Sequence, residues 1–270
     1  MKPKTKRRDD DELEGVKKIA DIKRHRSYVL YGRSGSGKTT LAADFPKPLL
    51  YLDIRDEGTD SIADVEGIDV KEIESFDDVE EVMLWLRRNP KKYKTVVLDT
   101  MTQLQELVVQ EVADTRKRKL KGKQAGEFGT LQKQDWAEVS SKLKSIIIDY
   151  RDLPLEVVFI AQERVFNLDD EESDSADQLA PEVGPALMPS VKQVLNAAVT
   201  VVACCFVRRK TVTKEVKGKK VKREKSVYAL RLGPNSVYTT KVRKPREVEA
   251  PDFIEDPSYQ AIVDVITGDY

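Results

Sequence analysis

The stretch Gly32-Arg33-Ser34-Gly35-Ser36-Gly37-Lys38-Thr39 matches the phosphate-binding pattern G-x-x-x-x-G-K-[ST] at every position. It follows an apolar run, Tyr28-Val29-Leu30-Tyr31, that reads as a buried strand, and it opens Thr39 to Phe45, which reads as the start of a helix. That context gives the pattern its meaning. The glycines let backbone N–H groups curl around phosphate oxygens, and the start of a helix adds positive potential. Lys38 is placed to reach the β and γ phosphates of a nucleotide, and the Thr39 hydroxyl to ligate magnesium. These eight residues, together with Thr40, are the expected nucleotide-binding set.

Outward from this loop the chain alternates strand and helix. Leu49 to Leu52, Ile68 to Ile73, Thr95 to Leu98 and Leu155 to Ala161 read as further strands. Ser75-Phe76-Asp77-Asp78 resembles a capping box for a helix that presents Phe76, Val79, Met83 and Leu86 on one face and stops before Pro90. Leu104, Leu107, Val108 and Val112, and later Trp136, Val139, Leu143, Ile146, Ile147 and Tyr150, recur at helical spacing, and Lys119 to Gly129 reads as a loop. Such alternation predicts an α/β fold with a mostly parallel sheet covered on both faces. Near the C-terminus, Val199 to Val207 and Ser226 to Leu232 flank a lysine-rich stretch, which predicts an antiparallel hairpin added to that sheet. The expected organisation is a charged arm over 1–26, a core over 27–247, and a tail over 248–270; within the core lie a mobile acidic loop over 163–182 and a basic hairpin over 207–225.

Composition narrows the chemistry. The 270 residues carry Lys+Arg 47 against Asp+Glu 47, with 40% hydrophobic residues, enough for a sizeable core. The single histidine, His25, lies in a charged stretch, which leaves almost no material for a nucleophile with a histidine base or a histidine-rich zinc site. The two cysteines, Cys204 and Cys205, are adjacent in an apolar run and read as small buried hydrophobes rather than metal ligands. No apolar run is long enough to span a bilayer, so the expectation is a cytoplasmic protein without a membrane partner.

A phosphate loop needs a carboxylate at the end of a neighbouring strand to hold magnesium through its water shell, and Val96-Val97-Leu98-Asp99 supplies one. Asp99 is therefore the expected metal-side partner of Thr39; the alternative is that Asp99-Thr100 caps the next helix.

With these motifs in order, the chain resembles RecA-like P-loop ATPases, and among them phage-encoded RecA-like proteins of single-strand annealing and recombination. The resemblance runs from about Ser27 to Pro245. It rests on the phosphate loop, Tyr51-Leu52-Asp53 followed by Asp56-Glu57-Gly58, Val97-Leu98-Asp99-Thr100, Phe159-Ile160-Ala161-Gln162 and Lys241-Val242-Arg243. It implies ATP and Mg2+ as cofactors and single-stranded DNA as a partner. It also implies self-assembly into a ring or filament with ATP between subunits, and contact with a single-strand-binding protein or replicative helicase. By resemblance Lys38 is catalytic, and Asp56 or Glu57 positions the attacking water, with Glu57 favoured for its longer reach. Gln162 resembles a polar sensor of the γ phosphate, and Lys241 and Arg243 resemble a pair that reaches across the subunit interface.

From Arg208 to Lys225 ten basic residues face only Glu215 and Glu224, a net of +8 on one hairpin. Arg208, Arg209, Lys210, Lys217, Lys219, Lys220, Lys222 and Arg223 are the expected contacts to a phosphate backbone. The rival reading is a solvated tip whose lysines blunt an edge strand. Tyr228 and Tyr238 flank the segment and read as core. The function these features predict is a DNA-stimulated ATPase of phage-type annealing or recombination. The alternatives are an ATPase that loads a helicase or recombinase, and a nucleotide-switched DNA-binding module with little hydrolysis.

Overall fold

The computed structural model describes residues 16–18, 25–55, 58–119, 131–166, 181–216 and 219–270. A single mixed sheet organises them. Its strands, in chain order, are β1 (Ser27–Gly32), β2 (Leu49–Asp53), β3 (Ile68–Glu72), β4 (Thr95–Asp99), β5 (Glu156–Phe166), β6 (Glu182–Pro185), β7 (Val201–Val216), β8 (Lys219–Arg231), β9 (Lys241–Val242) and β10 (Phe253–Glu255). The helices are α1 (Lys38–Ala42), α2 (Phe76–Arg88), α3 (Met101–Lys119), α4 (Lys133–Arg151), α5 (Pro189–Ala198) and α6 (Tyr259–Thr267). Across the sheet the order is β10-β8-β7-β1-β5-β4-β2-β3, with β6 on β5 and β9 on β7.

The pairs β7–β1, β1–β5, β5–β4, β4–β2 and β2–β3 are parallel, while β8 and β10 are antiparallel additions. This is the α/β architecture with an added C-terminal hairpin that the alternation predicts. The central parallel strands β1, β2 and β4 are buried throughout because both faces are covered, so they read as continuous apolar runs, whereas β3 at the sheet edge is largely exposed. Val29 and Tyr31 of β1 enter one core with residues of α2, α3, α4 and α5, whereas Tyr28 and Leu30 enter a second core with Leu41, Ala42, Ile262 and Val265 from α1 and α6. The period-two alternation of one strand thus feeds both layers.

Local signals hold where the chemistry is short-range. The Ser75 hydroxyl accepts from the Asp78 N–H, and the Asp78 carboxylate accepts from the Ser75 N–H, which is the reciprocal cap expected for α2. Cys204 and Cys205 are buried in β7, and burial pushes both thiols up to about 12.

Three expectations are corrected. Residues 163–166 and 182 are strand rather than loop, because Glu163–Phe166 pairs antiparallel with Glu182–Pro185 and buried Phe166 sits under the Lys192 ammonium, 3.7 Å from the ring centroid. The rest of the expected acidic loop, 167–180, lies outside the described residues, as does the loop expected over 120–129. The 248–270 segment is not a loose tail. It supplies β10, paired with β8, and α6, whose Ile262, Val265 and Ile266 complete the second core. Tyr228 is the third correction. It faces outward at 49% exposure, because its ring rests on the phosphate loop instead of entering the core.

Candidate nucleotide site

The phosphate loop leaves the end of β1 and closes into α1. Gly32 must lack a side chain, because a Cβ there would stand 2.2 Å from the backbone oxygen of Cys205 on the adjacent strand. Gly37 adopts the left-handed region at φ 85, and a Cβ on it would meet the Tyr228 ring at 3.0 Å. These two glycines set how closely the loop can hug the sheet. α1 has only five residues, so the loop amides and Lys38 contribute more positive potential than a helix dipole of that length.

Lys38 is buried, which is costly for an ammonium unless its donors are used. Its Nζ donates to the carbonyls of Gly32 at 2.9 Å and Arg33 at 2.8 Å, and lies 3.5 Å from Gln162 Oε1. The ammonium is thereby curled inside its own loop. Gln162 reaches this position because β5 lies between β1 and β4. Its N–H donates to Thr102 Oγ1 at 3.1 Å, and its carbonyl accepts from Ala186 N–H, tying the middle of β5 to α3 and to the turn before α5. Arg33 is exposed and pairs with Glu163, the next residue on β5, at 2.7 Å.

Thr39 Oγ1 donates to Asp99 Oδ2 at 3.0 Å. The bond to α3 expected of a cap is made by the neighbour instead, since Thr100 Oγ1 accepts from Gln103 N–H at 3.1 Å. Thr100 caps the helix, and Asp99 faces the phosphate loop. A second donor to Asp99 Oδ2 is the phenol of Tyr51, buried on β2. Burial, with the Asp99 carboxylate and the hydrogen bond to it, pushes the Tyr51 phenol well above its ordinary pKa, so it remains a donor. Sequence reasoning missed this tyrosine. Its apolar run gave it a core role, and only the β2–β4 register, with Tyr51 opposite Val97 and two residues before Asp53 opposite Asp99, puts its hydroxyl at the strand end.

These residues fit a nucleoside triphosphate with magnesium. Mg2+ keeps most of its waters and takes one or two carboxylates plus phosphate oxygens, which matches Thr39 and Asp99. Among the described residues no group of three or more His, Cys, Asp and Glu offers an all-protein metal cage. The Ser36 hydroxyl, buried in the loop, lacks a hydrogen-bond partner among the described residues, as a group awaiting a phosphate oxygen would.

The remaining candidates divide. Asp56 and Glu57 lie outside the described residues, just beyond the turn at Arg55. Lys241 and Arg243 sit together but away from the loop of their own chain. Lys241 lies opposite Val202 on β7, and the Arg243 N–H donates to Thr200 O, at least three residues, roughly 10 Å, before the level of Gly32. There Lys241 Nζ donates to Asn196 O and Ala197 O, and the Arg243 guanidinium donates to Ala197 O, covering the carbonyl end of α5. Burial and the neighbouring Arg243 bring the Lys241 ammonium down to about 8.

The basic hairpin pairs continuously from Cys204–Arg231 to Val216–Lys219. At its root Arg208 and Lys210 share Glu255 of β10, at 3.3 and 2.9 Å, and Arg209 faces Glu224 at 3.6 Å. The side chains of Lys217, Lys219, Lys220, Lys222 and Arg223 are outside the description.

The strand order and the phosphate loop define a P-loop ATPase domain, with Gln162 on the strand between the loop and Asp99. Residues 24–243 match the family model described as AAA domain, and the chain belongs to that family. No curated protein matches. Among solved structures it is similar to a KaiC-like protein, PH0186, from the hyperthermophilic archaeon Pyrococcus horikoshii OT3. Identity to that protein is 10%, the alignment covers 86% of this chain and 89% of that one, and the TM-score is 0.38. Among the described residues no helix is long and apolar enough to cross a membrane.

Proposed function

We propose that this protein is an ATPase that binds single-stranded DNA and acts in annealing or recombination, assembling so that ATP lies between subunits. The observation that carries the reading is one sheet bearing both parts: a phosphate site at the end of β1, and, starting on the adjacent strand, the β7–β8 hairpin with its net charge of +8. Sequence-independent attraction to a phosphate backbone is what an annealing protein requires.

In this reading Lys38 leaves its loop carbonyls for the phosphates, Ser36 and the loop amides hold their oxygens, and Thr39 and Asp99 would hold a magnesium ion that would supply charge neutralisation at the phosphates. Gln162, 3.5 Å from Lys38, senses the transferred group and relays its presence along β5. Glu57 or Asp56 aligns the water. Lys241 and Arg243, remote from their own loop, act on the phosphates of a neighbouring subunit once released from α5. In mixed assemblies Arg243→Ala should then inhibit wild-type subunits more than in proportion; strictly proportional loss would remove this interfacial role.

The reading is tested by ATP turnover with and without single-stranded DNA, run beside annealing of complementary oligonucleotides. Stimulated turnover together with annealing is the expected result. DNA binding without turnover would make the protein a nucleotide-switched binding module, and turnover that appears only with a helicase or recombinase would make it a loader.

A further inference from the structure

Formal charge is divided between two sides of the sheet. From Asp60 to Glu81 ten carboxylates stand against Lys71 alone, a net of −9, whereas the hairpin from Arg208 to Lys225 carries +8. The acidic stretch spans β3 and the start of α2, and Glu66, Asp69, Glu72, Glu74 and Glu81 are exposed. Among the described residues none of its carboxylates forms an ion pair. β3 is also the outermost strand on its side. It pairs with β2 and with nothing beyond, so one row of its backbone N–H and C=O groups has no partner strand. A groove of about 430 Å³ runs beside it, lined by Val70, Lys71, Glu72, Glu74 and Asp78, with Val70 half exposed. A free edge of this kind is a template for another strand, and the acids around it decide which strand it accepts.

The basic hairpin is built to the opposite specification. Among the described residues β7 pairs with β1 only as far as Cys204, and β8 pairs with β10 only from Ala229 to Arg231. From Phe206 to Val216 and from Lys219 to Tyr228 the two strands pair only with each other, a ribbon about 35 Å long with two free edges. Four strands, β1, β5, β4 and β2, separate β7 from β3, about 24 Å at sheet spacing, and the ribbon runs along the strands rather than across them. A contact between the two surfaces therefore joins two copies of the chain.

We propose that the β3 edge of one copy docks the basic ribbon of the next, a head-to-tail contact held by opposite charge and strand pairing. Like charges facing across paired strands are destabilising and opposite charges stabilising. That bars both symmetric alternatives, β3 against β3 and ribbon against ribbon. The acidic edge repels nucleic acid for the same reason, while every copy that presents it also presents a ribbon of nearly equal and opposite charge. A contact between two different surfaces leaves one of each unfilled, so assembly grows with concentration into a closed ring or an open chain. It uses neither Gly32 to Thr39 nor Arg243, so it forms without nucleotide and is distinct from an ATP-bridged interface.

Sedimentation velocity of the full chain without nucleotide tests the contact, using two charge-reversed variants. One carries Lys217→Glu, Lys219→Glu, Lys220→Glu and Lys222→Glu on the ribbon; the other carries Glu66→Lys, Glu72→Lys and Glu74→Lys at exposed edge positions. Wild type should form concentration-dependent assemblies at about 0.05 M salt and dissociate at about 0.5 M, where screening confines charge to a few ångströms. Each variant alone should sediment as a monomer. An equal mixture should regain assembly, because the reversed ribbon of one faces the reversed edge of the other, and that recovery also shows both variants folded. A mixture that stays monomeric while circular dichroism matches wild type would overturn the proposal, as would variants that assemble like wild type. A wild type that stays monomeric at low salt overturns it too, and capture of polylysine by that monomer would assign the edge to another basic partner. Assembly that needs ATP and ignores both sets of substitutions would leave the ATP-bridged interface standing and remove this one.

Discussion

Lys38 and the root of the hairpin are two cationic regions built in opposite ways. Lys38 is buried and held by two backbone carbonyls, whereas Arg209 has an 81% exposed side chain whose ion pair, to Glu224, is 3.6 Å long. Burial makes one ammonium specific, because its position is over-determined by the carbonyls that hold it. Exposure makes the charges at the hairpin root interchangeable and screened by salt. One region should fail by single substitutions, and the other only by degrees.

The largest effect is expected at Lys38. Lys38→Ala should lower ATP turnover by roughly a hundredfold or more, since a charge aimed at the transferred group is lost, while circular dichroism shows an intact fold. Near-normal turnover in the folded variant would remove the distinction between the two regions.

Magnesium use sharpens the buried side. Asp99→Asn should raise the magnesium needed for half-maximal nucleotide binding, and Tyr51→Phe should raise it less, because the carboxylate remains but loses one of its two hydroxyl donors. Loss of one such bond costs on the order of 1 kcal/mol, several-fold in apparent affinity. Magnesium titrations identical for Tyr51→Phe and wild type would confine Tyr51 to a packing role.

Smaller per residue is the hairpin effect. Neutralising Lys217, Lys219, Lys220 and Lys222 together should weaken single-strand binding for all sequences alike and flatten its salt dependence by about one unit of slope per lost contact at most. An unchanged slope would return these lysines to a solvated edge.

A separate signature, read in stability rather than in activity or binding, is the pH dependence of the β7 core. Burial pushes the Cys204 and Cys205 thiols up to about 12 in the fold, above the ordinary thiol, so the unfolded chain releases their protons first. The stability held at neutral pH should therefore fall as pH rises past about 9, by up to roughly 1.4 kcal/mol per unit for each thiol. Thermal melts of a Cys204→Ala, Cys205→Ala variant should lose part of that decline; parallel curves would assign it wholly to the buried tyrosines.

How much of this was legible in the sequence follows from the range of each interaction. The phosphate loop, the Ser75 cap and the alternating strands are contiguous signals, and the α/β class follows from them. Asp99 could be found because it ends an apolar strand, although whether it or Thr100 capped α3 depended on geometry. Tyr51 and Tyr228 were invisible as site residues. Each looks apolar in its own strand and gains its role from a partner 48 or more positions away in the Tyr51 case, and from hairpin closure onto Gly37 in the other. The C-terminal helix was a signal passed over, since Ser258 caps it through Ala261 N–H and Ile262, Val265 and Ile266 recur at helical spacing. The strands at 163–166 and 182–185 were masked by the acidic stretch between them, whose charge dominates the local pattern.

The central claim is that the buried phosphate site and the exposed hairpin work as one device. It is tested most directly by measuring single-stranded DNA affinity at fixed salt with ATP, with ADP and without nucleotide, for wild type and Lys38→Ala. The account predicts that nucleotide shifts the DNA affinity of wild type and leaves that of Lys38→Ala unmoved. Identical wild-type affinities in all three nucleotide states would contradict it.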